Sequence, residues 1–199
     1  SCPADTTVNC EDDSDSAATG DATATDNCDA EVTITESDSV VDGACLQERV
    51  ITRTWTATDD CGNASSCDQV VTVIDDEAPA ISCPADTTVN CEDDRSSSAT
   101  GAATATDNCD NEIDIVESDS VAAGSCAQEE VITRTWTGTD DCGNNSSCDQ
   151  VITVVDDEAP AISCPADTTV NCEDDRSSTA NGVATATDNC DNEIDIVES

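Results

Sequence analysis

The chain has 199 residues, 46 of them acidic against five arginines, with no lysine or histidine and a formal charge of −41. Such a chain repels nucleic acid and anionic membrane surfaces, and it lacks the imidazoles and amines on which most acid–base catalysis rests. Methionine, phenylalanine and tyrosine are absent, so a core must be built from valine, isoleucine, alanine and threonine around two tryptophans, Trp55 and Trp136.

The chain opens on Ser1-Cys2-Pro3-Ala4-Asp5-Thr6-Thr7-Val8-Asn9-Cys10, which returns letter for letter at 82–91 and 163–172, a period of 81 residues. A period of that length is a whole small domain, not a solenoid turn. The expected organisation is repeat 1 over 1–77, repeat 2 over 78–158 with a linker at 75–80 before it, and a partial repeat 3 over 159–199 holding the first strands only. A domain cut in mid-strand cannot bury its core, so the expectation is a window on a longer array or a subunit completed by a neighbour.

Within repeat 1, Thr6 to Cys10 predicts a short first strand. An acidic-serine loop at 11–16 follows, then strands near 22–25 and over 31–35, where Glu31-Val32-Thr33-Ile34-Thr35 alternates cleanly. The longest strand is expected at 50–58. It places Ile51, Arg53, Trp55 and Ala57 on one face and Thr52, Thr54, Thr56 and Thr58 on the other. Trp55 is assigned to the core with Arg53 near the rim. Val70-Val71-Thr72-Val73-Ile74 is the last strand, and Asp76-Glu77-Ala78-Pro79 leads into the next repeat. Helix signals are missing. Short strands with turn signals over about 80 residues predict an all-β chain of tandem immunoglobulin-like β-sandwich domains. The fifteen cysteines, six per full repeat, predict a disulfide-stapled fold in an oxidising, extracytoplasmic setting. Zinc fits less well, because Cys61 and Cys67 are widely spaced and no histidine is available.

The succession Cys-Pro-Ala-Asp, Thr-Ala-Thr-Asp-Asn-Cys, Thr-Trp-Thr-Ala-Thr-Asp-Asp-Cys-Gly-Asn and Val-Thr-Val-Ile-Asp, closed by Ala-Pro, resembles the hyalin repeat (HYR) family. The likeness is to the versions arrayed in secreted surface proteins of Bacteroidetes-type bacteria. The resemblance implies an immunoglobulin-like sandwich and a role in adhesion or surface structure. The regular six-cysteine set and the extreme charge depart from the usual pattern.

Sandwich topology puts the loops Asp26-Asn27-Cys28-Asp29 and Asp59-Asp60-Cys61-Gly62-Asn63 at the end where the chain enters. In repeat 2 these are Asp107, Asp110, Asp140 and Asp141 with their cysteines, and the linker Asp75-Asp76-Glu77 arrives there. Seven carboxylates are expected at that junction, an oxygen-only cluster that suits calcium. Asp156, Asp157, Glu158, Asp188 and Asp191 repeat the set one period on. The linker resembles the acidic Ala-Pro linker of cadherins. The competing reading is that these aspartates are solvated turn residues.

The same layout suggests Cys28–Cys61, Cys2–Cys67 and Cys10–Cys45, and one period on Cys109–Cys142, Cys83–Cys148 and Cys91–Cys126. Six cysteines allow fifteen pairings, and a local Cys61–Cys67 bridge competes. The partner of Cys190 is expected beyond Ser199.

The functional expectation is a non-enzymatic, extracellular or cell-surface array, stiffened by calcium into a fibre or stalk, whose partner is itself: neighbouring repeats or chains. Two alternatives are an adhesin spacer or glycan-binding repeat, and an acidic matrix protein that concentrates calcium. Asn63, Asn144 and Asn145 match the N-glycosylation pattern. Nucleic acid and membrane insertion are excluded as partners. Repeats 2 and 3 differ at three of 37 shared positions (Ser98/Thr179, Thr100/Asn181, Ala102/Val183), a uniformity that suits one repeated interface.

Overall fold

The computed structural model describes residues 1–28 and 30–197. Among them the elements are strands joined by loops, with three single-turn helices (α1 Ser16–Thr19, α2 Ser97–Thr100, α3 Ser178–Asn181). The all-β expectation holds. Among the described residues no helix is long and apolar enough to cross a membrane.

Two compact units are present, and they cross the sequence repeats. One comprises Ser1–Ser82, Ala103–Val116 and Thr137–Cys148, and the other Cys83–Ala102, Glu117–Trp136 and Asp149–Ser199. In the first unit, β1 (Thr6–Asn9), β2 (Thr33–Asp42), β3 (Arg49–Thr58) and β4 (Ala64–Ile74) form one sheet in the order β1-β4-β3-β2. β1 runs parallel to β4, with Thr6 opposite Val71 and Asn9 opposite Ile74. β2–β3 and β3–β4 are antiparallel. A separate two-stranded ribbon pairs β5 (Ala80–Ser82) antiparallel with β7 (Thr104–Thr106), and its Ile81 and Ala105 lie against Gly138.

In the second unit, β6 (Thr87–Asn90) runs parallel to the Ile152–Val155 stretch of β10 (Asn145–Val155). β8 (Asp114–Ala123) and β9 (Glu130–Thr139), whose residues 117–123 and 130–136 fall in this unit, complete a sheet of order β6-β10-β9-β8, the same order as the first. β11 (Ala161–Ser163) and β12 (Thr185–Thr187) pair antiparallel in a ribbon of their own.

The strand at 31–35 is longer than expected, extending to Asp42, and the last strand begins at Ala64, so β2, β3 and β4 zip together over their whole lengths. The expected strand at 22–25 is reduced to the Ser1–Thr23 rung, with reciprocal backbone bonds of 2.6 and 3.0 Å. Its copy at 104–106 pairs fully because β5 lies beside it. The helical turn at Ser16–Thr19 was not foreseen. Asp15 caps it by accepting from Ala18 N, and Gly20, at φ 105°, ends it against Pro3; a Cβ at that φ is strained.

The cores are small and aliphatic. Ile51, Val71 and Val73 pack with Val8 and Cys10 in the first unit, and Ile132, Ile152 and Val154 pack with Val89 and Cys91 in the second. Arg53 is buried rather than at the rim, on the same β3 face as Ile51 and Trp55. Its guanidinium donates to both oxygens of Asp38 at 2.9 Å, to Thr19 Oγ1 and to Ser14 O. Arg134 repeats the arrangement with Asp119, Thr100 and Arg95 O. Gln69, fully buried, donates to Ala4 O and Thr19 O and so ties the N-terminal segment and α1 to β4. Asp5 accepts from Val70 N at 2.8 Å. The opening motif is thus a clamp onto the last strand, with Cys2 bonded to Cys67 at a Cα separation of 6.0 Å.

Candidate metal centre at the repeat junction

The loop aspartates do two kinds of work. Asp107 accepts from Cys109 N and Asp110 N, and Asp140 accepts from Asn144 N and Asn144 Nδ2. These are Asx-type turns, the chemistry expected of Asp-Asn clusters. Asp110 spends one oxygen on Glu112 N and the other on Asp141 N, pinning the two loops together. Asp76 accepts from Asn9 Nδ2. Asp110 and Asp76 are therefore positioned by protein donors.

Asp75 is different. It is 4% exposed, and neither of its carboxylate oxygens has a hydrogen-bond partner; Asp107 Oδ2 is also buried and unpartnered. Ligand atoms of Asp75, Asp107 and Asp140 lie within 4.8 Å of one another. Burial pushes the Asp75 carboxyl above its ordinary value, and the neighbouring Asp107, Asp140 and Asp110 charges add to the effect. The Glu77 N–H offsets this in part without reaching hydrogen-bond geometry. Three carboxylates this close, with no ion pair to an arginine among the described residues, cost on the order of several kcal/mol to keep ionised. Asn144 Nδ2 bridges Asp75 O and Asp140 Oδ2, a second role that sequence reasoning missed. Its only signal was the return of Asp-Asp-Cys-Gly-Asn in both full repeats.

Of the expected ligands, the structure gathers Asp75, Asp107 and Asp140. Asp76, Asp110 and Asp141 belong to the same junction with other tasks, and Glu77 follows in the linker. Asp156 repeats Asp75 with a buried, unpartnered Oδ1, while Asp188 closes the turn to Cys190 and Asp191, which holds its carboxyl below the ordinary value. Asn90 donates to Asp157. Asp26 and Asp59 form turns to Cys28 and to Cys61 and Asn63. Asp29 lies outside the described residues.

The disulfides correct four expected pairings. Cys10 is bonded to Cys109, not Cys45, and Cys45 is bonded to Cys142, so Cys109–Cys142 is not formed. Cys91 is bonded to Cys190, not Cys126, and the partner of Cys190 lies within the chain. Cys28 and Cys61 are free, as are Cys126, Cys164 and Cys172. Cys83 and Cys148 are each in a disulfide. Cysteines at one end of a repeat are near each other but do not bond to each other. Instead they meet the adjoining repeat, whose linker and loops come within bonding distance. Cys10–Cys109 sits beside Asp75, and both sulfurs are committed to the bond, so the grouping of Cys10, Asp75 and Cys109 offers carboxylate oxygen rather than thiolate.

Tandem disulfide-stapled sandwiches with an acidic junction are repeat modules. This chain belongs to the HYR-like domains with four cysteines, whose family model matches residues 1–73 and 79–154. Such tandem, extracellular-type repeats fit a structural or adhesive role. Curated proteins give no match. Solved structures similar to the chain include Drosophila N-cadherin EC1-4 (16% identity, 77% of this chain and 48% of that one, TM-score 0.35) and human CDH23 EC21-23 (15%, 70% and 54%, TM-score 0.33). Human mucin-like protocadherin EC1-2 is a third (12%, 77% and 96%, TM-score 0.30). The chain spans about half the length of the first two.

Proposed function

We propose that the chain is part of an extracellular structural array, a stalk or fibre of sandwich repeats, whose junctions are fixed by calcium together with disulfides. The observation that carries the cation is Asp75, a buried carboxylate with two unpartnered oxygens facing Asp107 and Asp140. A divalent cation there turns mutual repulsion into attraction. Oxygen-only donors with a flexible arrangement favour calcium over transition metals. Asp75, Asp107 and Asp140 would hold it, and Asp156 with Asp188 would serve one period on. The role is mechanical, not catalytic: the carboxylates position and neutralise rather than transfer protons.

Calorimetric titration of calcium into the chelator-treated full chain tests this reading. Saturable binding at submillimolar concentration is expected, with magnesium weaker. Asp75→Asn should remove the junction site and the exposed control Asp21→Asn should not. Absence of saturable heat, or an Asp75→Asn variant that binds as well as the parent, would sink the calcium reading.

A further inference from the structure

The same loop face occurs twice in the first compact unit, once covered and once bare. Ala22 to Cys28 and Ala103 to Cys109 have identical sequences, as do Asp59 to Asn63 and Asp140 to Asn144. In the later copy Ala103 and Asp140 are buried, Cys109 is bonded to Cys10, and Cys142 is bonded to Cys45. In the earlier copy Cys28 and Cys61 are exposed thiols. Identical residues differ in burial only because the later copy has the end of the preceding repeat seated on it, bringing Cys10, Cys45 and the Asp75 carboxylate.

The bonds follow a rule. A cysteine in the position of Cys10 reaches 99 residues forward, in both Cys10–Cys109 and Cys91–Cys190. One in the position of Cys45 reaches 97, and one in the position of Cys2 reaches 65. The free cysteines among the described residues are those whose step leaves the 199 residues. Cys172, Cys126 and Cys164 copy Cys10, Cys45 and Cys2 and would reach past Ser199. Cys28 and Cys61 would be reached from ahead of Ser1.

We propose that the bare face at Cys28 and Cys61 is a covalent docking face for a further repeat of the same kind in the same polypeptide. That repeat presents thiols at the positions of Cys10 and Cys45. Successive repeats are thereby joined by two disulfides per junction in addition to the peptide linker. Each bond joins two thiols with loss of two protons and two electrons. A small-molecule disulfide such as glutathione disulfide accepts both and leaves as two thiols. The covalent ladder does not depend on the cation reading.

The test uses the full chain preceded by one added copy of residues 82–162, marked by conservative substitutions beside its two junction cysteines. It is refolded in a glutathione redox buffer and mapped by non-reducing proteolysis and mass spectrometry. The expected result is Cys28 and Cys61 each linked to the marked copy and closed to thiol alkylation, while both alkylate fully in the unextended chain. In the extended chain, Cys28→Ser should leave the Cys61 bond in place, so failure of one bond is separable from failure to fold. A Cys28–Cys61 bond, a Cys61–Cys67 bond, or chain dimers through Cys61 and Cys126 would overturn the proposal.

Discussion

Arg53 and Asp38 give the sharpest test of what holds one sandwich together. The arginine is 3% exposed, whereas the Asp38 side chain keeps 35% of its surface in solvent. The pair is therefore asymmetric. Asp38→Ala leaves a buried guanidinium with only Thr19 Oγ1 and Ser14 O as acceptors, and with Glu36 3.9 Å away as partial compensation. Breaking a buried pair by removing one partner costs 3–5 kcal/mol; the half-exposed carboxylate and Glu36 place this case near the low end, at about 3 kcal/mol. Arg53→Met instead removes the buried charge and lets Asp38 rehydrate, for a cost of about 1 kcal/mol. Urea unfolding followed by circular dichroism measures both, since guanidinium salts would screen the pair. The hydrogen bonds from Arg53, more than its charge, hold the Asp38 carboxyl below its ordinary value. That stability is present above the unfolded pKa and is lost as pH falls through the folded one. The acid-side loss should shrink in Arg53→Met. If Arg53→Met costs as much as Asp38→Ala, the buried charge is not what Asp38 satisfies, and the reasoning fails.

Other expected outcomes follow from the core and the junction. Val71→Ala, at a fully buried position, should cost about 2–3 kcal/mol, while Val41→Ala on the exposed face of β2 should stay within about 0.5 kcal/mol; denaturant midpoints decide. Cys45→Ser opens a bond spanning 97 residues and should lower stability by up to about 4 kcal/mol, with no change expected for Cys61→Ser in the same thermal scan. The Asp75 carboxyl has its folded pKa raised, so ionised Asp75 destabilises the cation-free junction at neutral pH. Its stability should rise as pH falls toward that folded value, and calcium affinity should fall over the same window. Calorimetry at stepped pH reads both, and a pH-independent affinity would exclude Asp75 as a ligand. Scattering from the full chain should report a stiffer particle in calcium than in chelator; identical curves would leave rigidity to the disulfides and proline linkers.

By itself, the sequence determined the repeat, the strand content and the chemistry of its loops. Valine, isoleucine and threonine alternation marked β3 and β4 because the two-residue period of a strand is a local property. The 81-residue period was visible because it is a matter of letters. The Asp-Asn-Cys and Asp-Asp-Cys-Gly-Asn turns were legible because an aspartate bonds its own neighbouring backbone. What lies between distant residues was not legible. The burial of Arg53 depended on Asp38 of the neighbouring strand β2 and on Ser14 and Thr19 of the α1 segment reaching its guanidinium, which no pattern within β3 announces. The division of the junction aspartates into turn-formers and an unpartnered Asp75 depended on which oxygens the opposing loop could reach. The disulfide ladder was decided by tertiary structure alone. Cysteines at one end of a sandwich are close to each other and to the adjoining repeat, and only the packing of the linker brings Cys10 to Cys109 and Cys45 to Cys142.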